Sequence, residues 1–217
     1  MPSRRPLPAS FYRREPAVVA RDLLGCRLTR RLPDGSTRSV ILVETEAYLG
    51  VKDRAAHTWN GRRTARVEPM WGEGGHAYVY FVYGMHFCMN VVTGRAGEPE
   101  AVLLRAGVSE ESFAEYRRKK TRKEKETSLK VNRGGEASGP AKLCEYLQIT
   151  RELSGVSFAG PELVLSRGPR SRFDVLAGPR VGVDYAGEAA AWPLRFAVAG
   201  CPAVTKPKGL RPFPVIS

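Results

Sequence analysis

The chain has few residues of the kinds that form disulfides or bind metals. It contains four cysteines and three histidines among 217 residues. No two cysteines form a C-x-x-C pair, and no histidine stands at a zinc-binding spacing from one of them. The scarcity excludes a zinc finger and a disulfide-rich scaffold. We expect buried thiols in a reducing compartment and no bound metal.

Long apolar runs are also missing. No stretch approaches the roughly 20 residues of a transmembrane helix. The basic start MPSRRPLPAS is not followed by the apolar segment of a secretory signal. We therefore expect a soluble intracellular protein with no membrane contact. It would act in bacterial cytoplasm, beside the nucleoid, or in a eukaryotic nucleus.

Acidic residues are outnumbered by basic ones. The chain has 22 Asp and Glu against 35 Lys and Arg, which gives a net charge of +13. Such an excess attracts polyanions. Nucleic acid is the first candidate partner, and an anionic membrane surface is the second. The composition is otherwise that of a globular protein long enough to bury a sizeable core.

Strand and helix signals are mixed without a β-α-β rhythm, which favours an α+β fold. The prolines of residues 1–9 predict a loose basic tail, and residues 10–217 form one domain. Helices are predicted over 16–24, over 109–125 after a Ser109 cap, and from Pro140. Strands are predicted, after a turn at 32–36, at about 38–50, 77–83, 87–93, 100–108, 162–166, 180–184 and 194–199.

Two segments have unusual composition. Residues 50–75 are polar and glycine-rich, and an ordered loop of that length is usually functional. The stretch VYFVYGMHFCMN (79–90) predicts a hairpin whose tip carries Tyr83, Met85 and His86. Turn tips normally carry Asn, Asp, Gly, Ser or Pro. The basic run from 117 to 133 is compatible with a solvated face or with weak, salt-sensitive DNA binding.

The strand VETEAYLG places two carboxylates together. Because side chains alternate along a strand, Glu44 and Glu46 point to one face, roughly 7 Å apart. They are either surface glutamates with arginine partners or functional groups. The strand leads into the loop that carries His57 and several arginines. This combination suits hydrolysis of a glycosidic bond in a polyanion, with a carboxylate activating water.

Several motifs together resemble those of the alkyladenine (3-methyladenine) DNA glycosylases. They are VETEAYLG, AAHTWNGRRTAR, YVYFVYGMHFCMN, AVLLRA, SGPAKLC, GPRVGVDYAGE and PLRF. They cover about 20–200 in order and with compatible spacing. The resemblance implies an α+β domain with a curved antiparallel sheet, a protruding β-hairpin and surrounding helices. It also implies a monomer that needs no cofactor and acts on double-stranded DNA containing damaged purines.

The resemblance assigns roles to individual residues. Glu46 would be the general base that activates water, and Arg105 would hold that water. The base pocket would be formed by Tyr48, His57, Tyr80 and Asn90. Tyr83, Met85 and His86 would enter the duplex, with Tyr83 filling the space left by the flipped base. Phosphate contacts would come from Arg62, Thr64, Arg66 and Lys142.

The activity implied is that of a monofunctional glycosylase. It would remove 3-methyladenine, 7-methylguanine, hypoxanthine and ethenoadenine without cutting the strand, because no catalytic motif contains a lysine for Schiff-base chemistry. A non-catalytic DNA-binding protein and a nucleoside hydrolase are the alternatives. The first would not need Glu46, and the second would need neither the positive charge nor Tyr83. His86 departs from the aromatic or polar residue often found beside the wedge.

Overall fold

The fold is built around one antiparallel sheet, flanked by short helices. The computed structural model describes residues 5–82, 84–121, 137–169, 172–205 and 209–213. The helices are α1 (Ala9–Tyr12), α2 (Pro16–Leu23), α3 (Glu110–Thr121) and α4 (Pro140–Tyr146). The strands are β1 (Arg27–Arg31), β2 (Thr37–Tyr48), β3 (Ala77–Val82), β4 (His86–Thr93), β5 (Glu100–Val108), β6 (Ala137–Ser138), β7 (Leu163–Ser166), β8 (Val175–Gly178), β9 (Arg195–Val198) and β10 (Arg211–Pro212).

Strand β2 is the centre of the sheet. The strand order of the sheet is β10-β8-β9-β2-β5-β4-β3. In addition, β1 pairs with β2, β7 pairs with β1, and β6 pairs with β5. The first part of β2 pairs with β1, and its last part pairs with β9. The pairing of β2 with β5 shifts register between Leu42 and Thr45. A bulge of this kind redirects side chains, and this one lies where Glu44 and Arg105 face each other.

Helix α2 shows how the sequence directs the packing. Pro16 stands at its first turn, where a missing N–H does no harm. Val19, Ala20 and Leu23 form the buried stripe. Thr45 on β2 donates its hydroxyl to the carbonyl of Ala20 at 2.8 Å. The helix therefore covers the face of β2 opposite the two glutamates.

The predicted α+β class and the single antiparallel sheet are confirmed. Two predicted segments differ. Residues 180–184 alternate like a strand, but the strand is β8 at Val175–Gly178 and the segment is a loop, because buried Arg180 pairs with Asp53. The predicted tail is shorter than 1–9, since Leu7 is buried and donates its N–H to the carbonyl of Leu165.

The predicted hairpin is formed by β3 and β4, with Val82 paired to His86. The N–H of Met85 donates to the carbonyl of Val82 at 3.2 Å, which closes the turn. Gly84 has φ of 68°, a conformation that glycine adopts without strain.

Within the described ranges, no helix is long and apolar enough to span a membrane.

Candidate active site

The centre of the candidate site is a buried arginine that joins two buried carboxylates. Nε of Arg105 donates to Oε1 of Glu44 at 2.9 Å, and its Nη1 lies 3.2 Å from Oε1 of Glu46. Both glutamates are fully buried. The alternative of surface glutamates is therefore wrong. A shared guanidinium offsets part of the cost of burying two negative charges.

The partners of the two carboxylates give them different surroundings. Glu44 also accepts hydrogen bonds from Nε of Arg195 at 2.8 Å and from the N–H and hydroxyl of Thr205 at 2.9 and 2.8 Å. Neither Arg195 nor Thr205 lines the neighbouring cavity. Glu44 is thus enclosed by donors, and its geometry is that of a structural anchor for Arg105.

Glu46 faces the cavity wall instead. Its Oε1 accepts the N–H of Val181 at 2.8 Å, and its Oε2 accepts the hydroxyl of Tyr48 at 3.0 Å. These two residues and Arg105 all line the cavity. Burial raises the pKa of Glu46 above its ordinary value, while Arg105, the Val181 N–H and the Tyr48 hydroxyl oppose that rise. A buried carboxylate with a raised pKa is suited to proton transfer near neutral pH.

A second buried ion pair fixes the loop that supplies Val181. The guanidinium of Arg180 bonds both carboxylate oxygens of Asp53, and Nη2 reaches Oδ1 at 2.9 Å. Asp53 also accepts the N–H groups of Leu49 and Ala55 at 3.0 Å. The same guanidinium lies 4.7 Å from the ring centre of Tyr48. Arg180 and Asp53 therefore hold Tyr48 and the Val181 segment against each other.

The cavity has a volume of about 610 Å³, and its lining is rich in aromatic residues. Tyr78 and Tyr80, two residues apart on β3, stack with ring centres 5.4 Å apart. His57 meets Tyr80 edge-on at 4.6 Å, and its Nδ1 lies 2.9 Å from the hydroxyl of Tyr78. Burial lowers the pKa of His57 to about 4, with Arg66 and Arg62 adding to the effect. Its imidazole is therefore neutral at pH 7.

Asn90 is placed in the cavity wall by strand pairing. It stands opposite Tyr78 in the β3–β4 ladder and lines the cavity. Its Nδ2 donates to the backbone carbonyl of Tyr78 at 3.1 Å. The amide is thus fixed beside the space that a ligand would occupy. All four predicted pocket residues (Tyr48, His57, Tyr80 and Asn90) line one cavity.

The other predicted residues lie outside the cavity or at its edge. Met85 and His86 are exposed at the hairpin tip, whereas Tyr83 lies outside the described residues. All four residues that were predicted to contact DNA phosphates are exposed: Arg62, Thr64, Arg66 and Lys142. Among them Arg66 lines the cavity, and its guanidinium lies 5.7 Å from the Tyr80 ring. Lys142 lies in the helix whose first residue, Pro140, also lines the cavity.

Sequence reasoning missed several parts of the site. Tyr78 could have been found, because alternation on β3 places it on the same face as Tyr80. Val181 and Tyr185 also line the cavity. Val181 acts through its backbone N–H, and side-chain patterns carry no signal for that. In the described part of the chain, no three His, Cys, Asp or Glu residues form a metal-binding group.

The sequence comparisons agree with this geometry. The family model for methylpurine-DNA glycosylase matches residues 10–202. Relatives named "Putative 3-methyladenine DNA glycosylase" occur in Bacillus cereus, Bacillus thuringiensis and Bacillus anthracis at 42%, 43% and 42% identity. Each alignment covers 92% of this chain and 98% of the relative.

A buried carboxylate behind an aromatic-walled cavity, on a strongly basic chain, is the arrangement of an enzyme that hydrolyses N-glycosyl bonds in DNA. The chain belongs to the methylpurine-DNA glycosylase family. It is accordingly a DNA glycosylase of base excision repair, and its substrate is DNA.

Proposed function

We propose that this chain is a monofunctional glycosylase that extrudes a damaged purine from duplex DNA and hydrolyses its N-glycosidic bond. The proposal rests on Glu46. Its carboxylate accepts hydrogen bonds from the Tyr48 hydroxyl and the Val181 N–H, and both of these residues line the cavity. A base stacked in a duplex is out of reach of such a buried group, so the nucleotide has to leave the helix.

The cavity walls suit a flat aromatic ligand. Tyr48, against which the Arg180 guanidinium lies, His57 and Tyr80 all line the cavity. Purines that carry a positive charge after alkylation are attracted to the electron-rich faces of tyrosine. The aromatic lining supports the substrates that the family resemblance implies, which are 3-methyladenine, 7-methylguanine, hypoxanthine and ethenoadenine.

Hydrolysis would proceed by water attack on the sugar carbon. Glu46 would accept a proton from that water, and the Arg105 guanidinium would hold the water and balance the charge of the carboxylate. The bond from C1′ to the purine nitrogen breaks as the bond to the water oxygen forms. No lysine lines the cavity within the described residues. A Schiff base with the sugar is therefore not part of the mechanism, and the strand stays intact.

Asn90 is assigned the rejection of guanine. Its side-chain amide is tied to the Tyr78 carbonyl and cannot turn away from the cavity without breaking that bond. A fixed amide in the wall occupies space that the exocyclic amine of guanine would need. 7-Methylguanine carries the same amine, but its positive charge attracts it to the tyrosine faces and weakens its glycosidic bond, so it would still be excised. Asn90→Ala should therefore increase release of undamaged guanine relative to hypoxanthine. Chromatography of the bases released from duplexes containing each of them measures that ratio.

Contact with DNA outside the cavity is assigned to the hairpin tip and to the basic loop. Tyr83, with Met85 and His86 beside it, would fill the space left by the extruded base. Tyr83→Ser should weaken binding to a hypoxanthine duplex more than binding to an undamaged one. Phosphates would be bound by Arg62, Thr64, Arg66 and Lys142. Replacing one of these arginines by Ala should reduce the slope of log K for binding against log salt concentration by about one.

The cavity is complete within one chain, so we propose a monomer as the active form. The relatives above are bacterial, and in a bacterium the protein would act on DNA in the cytoplasm. Incubation with duplexes that contain one lesion each, followed by quantification of abasic sites, tests the assignment. Hypoxanthine, ethenoadenine and 3-methyladenine should each yield abasic sites in intact strands. Direct strand cleavage, or no product from any lesion, would contradict the proposal.

A further inference from the structure

Exposed apolar side chains collect around the mouth of the cavity. The large exposed hydrophobic residues of the described chain are Val51, Trp59, Met85, Val181 and Tyr185. Val181 and Tyr185 line the cavity, Met85 lies on the hairpin tip, and Trp59 follows two residues after cavity-lining His57. Exposed apolar residues that cluster, rather than scatter singly, mark a binding surface. Of these residues, Trp59 has no role in the site described above.

Trp59 is exposed and stands at a tight turn of the backbone. The residue is 43% exposed. The next two residues, Asn60 and Gly61, have φ of 55° and 74°. Two successive left-handed residues form a tight reversal, and asparagine is one of the few residues besides glycine that adopts this conformation. Hydrogen bonds from Gly61 N to Thr58 O at 3.1 Å and from Arg62 N to Trp59 O at 3.2 Å close the turn.

The turn is anchored to the body of the domain on its inner side. Thr58 is fully buried, and its hydroxyl donates to the carbonyl of Pro99 at 3.0 Å. The N–H of Trp59 donates to the carbonyl of buried Ala56 at 3.1 Å. The Trp59 ring is absent from all three hydrophobic clusters of the described residues. The hydrogen bonds therefore fix the backbone of the turn, and the ring is left exposed to solvent.

Positive charge surrounds this turn. Arg62 and Arg66 follow it in the chain and are exposed. Arg66 lines the cavity, as does His57, which stands two residues before Trp59. An exposed aromatic ring on a basic loop is a combination with which proteins bind nucleic acid. On a duplex, whose base faces are already stacked, the ring would pack against the sugars and the edge of a groove. The charge favours a polyanion over a protein or an apolar ligand.

We propose that Trp59 is a second aromatic contact with duplex DNA, separate from the hairpin tip and outside the base cavity. Its ring packs against the nucleotides next to the lesion site and contributes to binding whether or not the DNA is damaged. The inference rests on the proposed function for the location of the DNA. It goes beyond that function because it concerns affinity for any duplex and not the chemistry.

Equilibrium binding and single-turnover kinetics of Trp59→Ala test the proposal. Loss of a tryptophan contact at the interface should weaken binding to undamaged and hypoxanthine duplexes by the same factor, about fivefold or more. The excision rate at saturating protein should stay within about twofold of the parent, because the ring does not touch the extruded base. Val51→Ala is the matched control, since Val51 is exposed on the same loop but lines a different cavity. It should leave binding unchanged.

Intrinsic fluorescence gives a second readout that does not depend on truncating the ring. The other two tryptophans, Trp71 and Trp192, are partly buried. Most of the fluorescence change on adding undamaged duplex should therefore disappear in Trp59→Phe. An equal change in that variant would overturn the proposal. Three results with Trp59→Ala would also overturn the proposal. They are an unchanged affinity for duplex DNA, a weaker affinity for the damaged duplex alone, and slower excision with normal binding.

The two proposals fail in distinguishable ways. If the parent protein releases no purine, the proposed function fails. Binding of undamaged duplex to the parent and to Trp59→Ala would still test the role of Trp59.

Discussion

Nη1 of Arg105 lies 3.2 Å from Oε1 of Glu46, while Nε of the same side chain donates to Glu44. Burial acts to lower the pKa of Arg105, but the two carboxylates outweigh it and raise the pKa. Glu44 thus serves to hold the guanidinium, and the guanidinium in turn opposes the rise in the pKa of Glu46 that burial causes. The predicted catalytic pair depends on a third charged residue that does not face the cavity.

Removing the shared guanidinium should destabilise the fold strongly. Arg105→Ala leaves Glu46 buried without its positive partner, and breaking a buried ion pair costs roughly 3–5 kcal/mol. Urea unfolding at neutral pH measures the free energy of unfolding. Arg63→Ala is the control, because Arg63 pairs with Glu68 on the surface and its loss should change little. Equal destabilisation in the two variants would contradict the account.

The excision rate should fall as the pH is lowered through the pKa of Glu46, because only the ionised carboxylate accepts a proton. Burial raises that pKa, and the Tyr48 hydroxyl is one of the groups that limit the rise. Tyr48→Phe should therefore move the acid limb of the single-turnover rate to higher pH. Tyr185→Phe removes a hydroxyl at the cavity edge that does not contact Glu46. Tyr185→Phe should leave the acid limb in place. An acid limb that moves to lower pH in Tyr48→Phe would refute the role of the Tyr48 hydroxyl.

His57 should make the folded state sensitive to acid. Its pKa is lowered to about 4 by burial and by Arg66 and Arg62, whereas an unfolded histidine has a pKa of about 6.5. The stabilising contribution is therefore fully present above the unfolded pKa and is lost as pH falls towards the folded pKa. His57→Gln removes the group that gains a proton on unfolding. The difference in unfolding free energy between parent and variant should shift in favour of the variant from about pH 8 to about pH 5. No shift would contradict it.

Much of the candidate site could be predicted because it is carried by side chains on regular strands. Alternation on β2 predicted that Glu44 and Glu46 share one face. The resemblance to the glycosylase family implied that Tyr48, His57, Tyr80 and Asn90 form one pocket, and all four line one cavity. The loop at 180–184 could not be predicted in the same way. Its alternating pattern indicates a strand, and only a tertiary contact of Arg180 with Asp53 shows why it is a loop.

The surroundings of Glu46 were equally hidden from the sequence. Its donor Val181 is a backbone N–H that lies 135 positions away in the chain. Glu44 is held in its buried position by Arg195, which stands in the motif PLRF but was given no role, and by Thr205, which lies outside every motif named above. Long-range polar contacts of this kind leave no local periodicity, so Glu46 could be singled out from the sequence whereas the groups that surround it could not.

The ion pair between Asp53 and Arg180 should affect the Glu46 carboxylate, the proposed general base, without touching it. Asp53→Asn weakens the bonds that hold the Val181 segment, so Val181 should lose its contact with Glu46. Because that N–H lowers the pKa of Glu46, the acid limb of the excision rate should again move to higher pH. A merely structural role for Asp53 would lower the midpoint of unfolding and leave the limb unmoved at temperatures where the variant stays folded.

The most direct test of the central claim is the single-turnover excision rate of hypoxanthine by Glu46→Gln. Glutamine keeps the shape of the side chain but cannot accept the proton of water, so the rate should fall by about 100-fold or more. Glu162→Gln, at an exposed site beside β7, is the matched control and should keep the parent rate. Excision by Glu46→Gln at the parent rate would contradict the assignment of Glu46 as the base.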